Sequence, residues 1–414
     1  MEIFSILTAF TIPEKQSFTI KIYAVNNCFI HRIKYGEYFV FLQQNYFDMA
    51  KYIYQYENWT NFVWDYNKIA VILGEVRNLQ GKLSGTMNAW GFSLKSEAML
   101  ETLTLDIMKS SEIEGEKLNR KQVRSSIAKR LGLEIGGLIS IDRNVEGVVE
   151  MLLDATQNYT QDLSEDRLFG WHSALFPSGR SGIYKIEVGK YRTGEMQVVS
   201  GMLSHEKVHF EAVPAKNVKA EMDKFIYWIN EKSQTDPVLK SAIAHLWFVT
   251  IHPFDDGNGR IARAISDMLL ARSDGSSQRF YSMSNQILKE RKKYYSTLEK
   301  TQYGDSDITL WLNWFLHCLK NSLVNTEIVL KAVFRKANFW EKHKNIQLNE
   351  RQRFIINKLF DNFYGKLTSS KWAKITKISS DTALRDIKDL IEKGILKQDE
   401  AGGRSTSYEL IVEK

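Results

Sequence analysis

The stretch TIHPFDDGNGRIARAISDMLL, residues 250–270, concentrates groups that can do chemistry. His252 ends a strongly apolar helical segment, LKSAIAHLWFVTI at 239–251, and Pro253 stops the helix there. Phe254 reads as a plug into the core. Asp255 and Asp256 lead into Gly257-Asn258-Gly259, where two glycines let the backbone turn sharply and approach a ligand closely. A new helix starts near Arg260, with Ile261, Ala264, Ile265, Met268 and Leu269 on its apolar face. Arg260 and Arg263, three residues apart, share one face near its N-terminus. Such a turn offers free N–H groups and a positive dipole end to an anion. The arginines add bidentate phosphate recognition. Asp256 can hold a Mg²⁺ that bridges phosphates, and His252 can take a proton from an attacking hydroxyl. These are the parts of phosphoryl or nucleotidyl transfer. The competing reading, His252 and Asp256 as ligands of a hydrolytic metal, lacks a second His or Cys three or four residues away.

The elements that must position these groups read as mainly α. The 414-residue chain allows two or three domains. Its 43% hydrophobic and 25% charged content is ordinary for a globular protein, and no run of eighteen apolar residues marks a membrane span. Two cysteines, Cys28 and Cys318, build no disulfide framework and suit a reducing, cytoplasmic setting. A net charge of +7 permits nucleotide, acidic-protein or nucleic-acid contact without choosing among them.

Residues 1–48 are rich in Phe, Ile, Tyr and Val and read as short strands or an irregular arm. Either Met49 is the natural start and 1–48 an extension, or 1–48 is a true β appendage. Residues 49–135 read as a helical domain and 136–330 as the unit carrying the chemistry, with a β-hairpin at 188–213. Residues 345–414 read as three helices and a two-stranded wing around Gly402-Gly403, the winged form of helix-turn-helix. In its third helix Ser380 or Asp381 reads as the N-cap and Gly394 as the C-cap.

HPFDDGNGRIAR resembles the Fic family signature, His-x-Phe-x-Asp/Glu-Gly-Asn-Gly-Arg-x-x-Arg, at every defined position. LFGWHSALFP (168–177), GKYRTGEMQVVSG (189–201), ERKKYYSTLEKTQYGD with ITLWLNWFL (290–316) and YIYQYENWTNFVWD (52–65) extend the likeness over roughly residues 50–330. The resemblance implies a Fic helical core with a β-hairpin flap. It implies a protein adenylyltransferase that moves AMP from ATP to a Ser, Thr or Tyr hydroxyl, with ATP and Mg²⁺ as cofactors. His252 becomes the general base and Asp256 the metal ligand. Gly257, Asn258 and Gly259 cradle phosphates, Arg260 and Arg263 hold the β- and γ-phosphates, and Ile261 and Ala262 lie between them in the binding stretch. Val198, Val199, Ser200 and Gly201 become the flap that aligns a target segment by strand addition. Tyr294 and Tyr295 are placed near the adenine or ribose, though each also reads as a core aromatic. Gln302 stands where family members often carry Asn.

Ser110-Ser111-Glu112-Ile113-Glu114-Gly115 resembles the family's inhibitory pattern, Ser/Thr-x-x-x-Glu-Gly/Asn. It implies that Glu114 pairs with Arg263 and withholds that arginine from the γ-phosphate, with Ser110 and Gly115 as the other fixed positions. The implied partners are a protein substrate, self-modification included, and a second copy in a homodimer; no membrane is implied. DNA is a weak expectation for the winged helix, because Arg385, Lys388 and Lys393 are interleaved with Asp386, Asp389 and Glu392. His205 and His209 read as surface residues of the hairpin loop. The alternative function is a nucleotide-sensing transcriptional regulator acting through the winged helix. UMP transfer, phosphocholine transfer or AMP removal would use the same site.

Overall fold

A computed structural model describes residues 20–25, 28–35, 38–44, 52–88, 92–133, 140–200, 207–360, 363, 365–399 and 406–411. The first described elements are strands β1 (Ile20–Val25), β2 (Cys28–Tyr35) and β3 (Tyr38–Gln44), an antiparallel meander. Helices α1 (Tyr66–Asn88), α2 (Phe92–Ile113) and α3 (Arg120–Leu131) follow. Next come α4 (Arg143–Gln157), α5 (Glu165–Leu175) and two small antiparallel hairpins. One pairs β4 (Arg180–Ser181) with β5 (Tyr184–Lys185), and the other β6 (Gln197–Ser200) with β7 (Lys207–Glu211). Helices α6 (Val218–Asn230), α7 (Pro237–Ile251), α8 (Asn258–Asp274), α9 (Met283–Lys289), α10 (Arg291–Gln302) and α11 (Thr309–Lys342) complete the main body. The remaining elements are α12 (Glu350–Phe360), α13 (Ser369–Thr376), α14 (Ser380–Glu392) and the antiparallel pair β8 (Leu396–Gln398) and β9 (Tyr408–Leu410). The chain is mainly α, as its periodicity anticipates.

One apolar core runs from Ile53 to Leu330 and a second from Phe339 to Tyr408. Helix α11 reaches both, since Phe339 in its last turns packs into the second core. Helix α7 lies at the centre of the first core. Asp236 caps its N-terminus, accepting from Val238 N–H at 2.8 Å, and Pro237 occupies the first position, where no N–H is needed. Every residue from Ser241 to Ile251 is buried, so α7 is apolar all round and α8 packs along it. Helix α8 contributes Ile261, Ala264, Ile265 and Met268, all fully buried. Phe254, between the helices, is also fully buried and plugs the loop into the core, worth about 2–3 kcal/mol for such a side chain.

In the C-terminal unit the cap of α14 is Ser379, whose hydroxyl accepts from Thr382 N–H at 3.2 Å. That is one residue before Ser380, because only Ser379 has the extended backbone a cap requires. Gly394 follows the helix end at φ 68°.

Candidate active site

His252 sits at the junction of α7 and the loop, at φ 52° and ψ 60°, a left-handed conformation rare for any residue but glycine. Its Nδ1 is 3.1 Å from the Val249 carbonyl, which can only accept, so Nδ1 carries the proton and Nε2 keeps its lone pair. Burial lowers its pKa from the ordinary 6.5, which favours the neutral, proton-accepting form.

The anion cradle begins at Gly257, the cap of α8, with φ 79°. A Cβ there would lie 2.9 Å from the Phe176 ring, so both conformation and space require glycine. Asn258 spends its side chain on the loop. Its amide donates to Phe254 O at 2.7 Å and accepts from Phe254 N–H at 3.0 Å. Its offer to an anion is therefore its main-chain N–H, not its side chain. The Ile261 N–H already donates to Gly257 O at 3.0 Å, and the Ile261 and Ala262 side chains are fully buried. The side chains of these two residues are therefore turned into the core.

Both arginines are nearly buried yet keep an unused donor, Nε on Arg260 and Nη1 on Arg263. Buried donors without a partner are costly, and an arriving phosphate would satisfy them. Asp256 receives the Gly257 N–H on Oδ1 at 2.6 Å and the Ser181 hydroxyl on Oδ2. A carboxylate has about four acceptor sites, so capacity for a cation remains. Among the described residues no group of three His, Cys, Asp or Glu side chains could form a cage. A Mg²⁺ held by one carboxylate and phosphate oxygens fits this donor set.

The segment after α2 fills the cradle. Glu114 Oε1 meets Arg263 Nη2 at 2.8 Å and occupies the space that a Cβ on Gly259 would need. Ser110 holds the same guanidinium, its hydroxyl accepting from Nε at 2.9 Å and its carbonyl from Nη2 at 3.0 Å. Gly115, at φ 88°, reverses the chain, and Glu116 Oε2 then reaches Arg260 Nη1 at 2.8 Å. The Arg260 guanidinium also sits over the Phe176 ring, 5.0 Å from its centroid. One short segment therefore engages both arginines. Sequence reasoning missed Glu116, although its position two residues after Glu114 was a signal. Further up α2, Asp106 Oδ1 accepts from Ser284 N–H at 3.1 Å and from the Ser282 hydroxyl, all three buried.

The flap strands pair Gln197 with Glu211, Val198 with Phe210, Val199 with Val208 and Ser200 with Lys207, with an irregularity between Val198 and Val199. Among the described residues β6 has no neighbour on its other edge. Phe210 anchors the hairpin on Tyr52, ring centroids 5.1 Å apart. Gly201 and His205 lie outside the described residues. His209 is in β7 itself, partly buried, with Nδ1 3.2 Å from Glu299 Oε2, because strand alternation turns it towards α10. Tyr294 is a core residue, donating its hydroxyl to His245 Nε2 at 2.9 Å. Tyr295 is exposed and packs under Arg291, 5.4 Å from its ring centroid. Gln302 is buried and donates to Thr250 Oγ1 at 3.2 Å. Thus neither Tyr294 nor Gln302 has its polar group turned to a free surface.

In α14 Asp386 is buried. It accepts from Arg351 Nε at 2.9 Å and from Asn349 at 2.9 Å, while Arg385 and Lys388 are exposed. The charge of Asp386 is thus paired with that of Arg351 inside the unit.

Residues 162–270 match the Fic/DOC family, and residues 52–133 match a domain of unknown function, DUF4172. The chain is 26% identical over 217 residues to protein adenylyltransferase fic-1 of Caenorhabditis briggsae, covering 50% of this chain and 38% of that protein. It is 33% identical over 79 residues to a probable protein adenylyltransferase of Aquifex aeolicus, covering 19% of this chain and 22% of the other. The chain thus spans less than half the length of these relatives. A solved Fic family protein from Desulfovibrio desulfuricans aligns at TM-score 0.49 and 20% identity, covering 83% of this chain and 95% of that one.

Proposed function

We propose, starting from a chain that carries a Fic domain at residues 162–270, that the protein transfers AMP from ATP to a hydroxyl of a protein substrate. The observation that carries the reading is a base with a free lone pair, His252 Nε2, on the same loop as a glycine-framed anion cradle with two unsatisfied arginine donors. The names of the relatives, protein adenylyltransferases, point to the adenylyl group.

In the proposed reaction the target hydroxyl oxygen attacks the α-phosphorus. Its proton passes to His252 Nε2. The bond from the α-phosphorus to the bridging oxygen breaks, and pyrophosphate leaves. The N–H groups of Asn258 and Gly259 at the start of α8 would hold phosphate oxygens, the Gly257 N–H being already given to Asp256, and Arg260 and Arg263 would hold the β- and γ-phosphates. When bound, Mg²⁺ on Asp256 would neutralise charge on the departing pyrophosphate. Glu114 would act as a brake by occupying Arg263, so that ATP enters with its α-phosphate misplaced.

The test is incubation of wild type, Glu114→Gly and His252→Ala with α-labelled and γ-labelled ATP. Label from the α position alone, increased in Glu114→Gly and lost in His252→Ala, supports the reading. Label from the γ position replaces it with a kinase-type transfer, and no label from either source in Glu114→Gly removes AMP transfer.

One observation favours a second reading, DNA binding by residues 345–414: Asp386 turned inward leaves Arg385 and Lys388 on the outer face of α14. A gel shift with random-sequence duplex DNA, repeated with Arg385→Glu, tests it; equal retardation by both proteins counts against α14 as the contact.

A further inference from the structure

We infer that Arg192 is a positioning residue that ties the base His252 and both ends of the flap hairpin into one unit; this rests on the transfer reaction proposed above. Arg192 is 2% exposed, and every hydrogen bond of its side chain ends on a main-chain carbonyl. Nε donates to His252 O at 2.7 Å and Nη2 to Ile251 O at 3.3 Å. These are open carbonyls at the C-terminus of α7, the negative end of that helix, where a cation is welcome. The main-chain N–H of Arg192 donates to Pro253 O at 2.9 Å. Residues 251, 252 and 253 are therefore pinned from one side chain and its own backbone. Between them sits the left-handed His252, a strained conformation that persists only when its surroundings enforce it.

Capping α7 would need nothing more, but the same guanidinium reaches the flap. Nη1 donates to Gly194 O at 2.7 Å, just before β6, and Nη2 donates to Val213 O, just after β7. The two flap ends are also joined directly, Ala212 N–H to Met196 O at 2.9 Å. A planar fork with five donors can satisfy carbonyls on three separate segments at once, whereas a lysine ammonium cannot span them. A target segment laid along the free edge of β6 would thus be referenced to the imidazole through Arg192. Residues 256–263, which form the anion cradle, receive no hydrogen bond from it.

The experiment compares Arg192→Lys with its parent in a Glu114→Gly background. It measures ATP affinity by calorimetry, self-labelling from α-labelled ATP, and hydrogen exchange of the flap. Expected are unchanged helical circular dichroism, ATP affinity within about twofold of the parent, and labelling slowed about 100-fold, the effect of misplacing reacting groups by roughly 1 Å. Exchange should quicken at 197–200, 207–211 and 251–254 and nowhere else. Unaltered labelling overturns the inference. So does a parallel loss of ATP affinity, helicity and labelling, which would make Arg192 a general fold residue. If the Glu114→Gly parent itself fails to label, the transfer reading falls. The exchange pattern then decides the tie: confinement to those three segments sustains it, and no change overturns it.

Discussion

Replacing Glu114 by glycine should free Arg263 for a triphosphate. A charge-assisted hydrogen bond contributes about 1.5–3 kcal/mol net, and Glu114 is 33% exposed against 3% for Arg263, so solvent screening favours the lower part of that range. Taking about 2 kcal/mol, and 1.4 kcal/mol per tenfold, ATP should bind about 30-fold more tightly in Glu114→Gly. Ser110 still grips Nε and Nη2 in the variant, so the guanidinium keeps its orientation. Without nucleotide the same change leaves a buried cation with one partner fewer, so the apo protein should melt earlier. Saturating ATP should then raise its melting temperature more than that of wild type, because ligand stabilisation scales with the logarithm of concentration over Kd. Calorimetric titration and thermal melts with and without ATP read both effects. Glu114→Gln, which keeps an acceptor without the charge, should fall between. Equal ATP affinity in all three proteins would refute the reasoning, since it would mean that Arg263 is not withheld.

Glu116→Gln should have a smaller effect in the same direction, about two- to threefold in ATP affinity, because Glu116 is 54% exposed and such pairs are worth about 0.5 kcal/mol. Arg279→Met should destabilise the fold by about 3–5 kcal/mol in urea unfolding, since it strands the buried Asp267 that Arg279 meets at 2.5 Å. His245 is held neutral. The Ser266 hydroxyl donates to Ala262 O and so accepts from Nδ1–H, leaving Nε2 to accept from Tyr294. Burial pushes its pKa down from 6.5 to about 3, so below 6.5 the unfolded chain takes a proton that the native state refuses. Stability present above pH 6.5 should be lost as pH falls towards 3, by up to about 1.4 kcal/mol per pH unit from this site, and His245→Gln should flatten that slope in urea unfolding at stepped pH.

What could be read beforehand was whatever the chain writes locally. The cradle was legible because Gly257, Asn258, Gly259, Arg260 and Arg263 fall within one loop and one helix turn, so spacing alone fixes their neighbourhood. The Asp256 contact with Ser181 spans 75 residues and that of Glu116 with Arg260 spans 144, and no periodicity reports such distances. Strands β4 and β5 hold two residues each, too few for alternation to show. Arg192 looked like one basic residue before a hairpin, and its role appears only where Gly194, Val213 and His252 converge. The inward turn of the Asn258 amide and of Asp386 is likewise decided by tertiary packing, not by residue type.

Helix α2 has little freedom to withdraw. Asp106 is fastened to the start of α9 through Ser282 and Ser284, and Leu103, Ile107 and Ile113 are buried in the main core. The non-helical link runs between Ile113, where α2 ends, and Asn119, which caps α3. Under the proposed brake, a carboxylate hung from so fixed a support would let go by movement of that loop, a class of motion that runs on the nanosecond to microsecond scale, and not by helix translation on the microsecond to millisecond scale. Typical turnover is about 10 per second. Opening and closing would then equilibrate many times within each catalytic cycle, and output would follow the fraction of time the loop is open, not how often it opens. Under the proposed brake, an activator would need only to shift the occupancy of that loop.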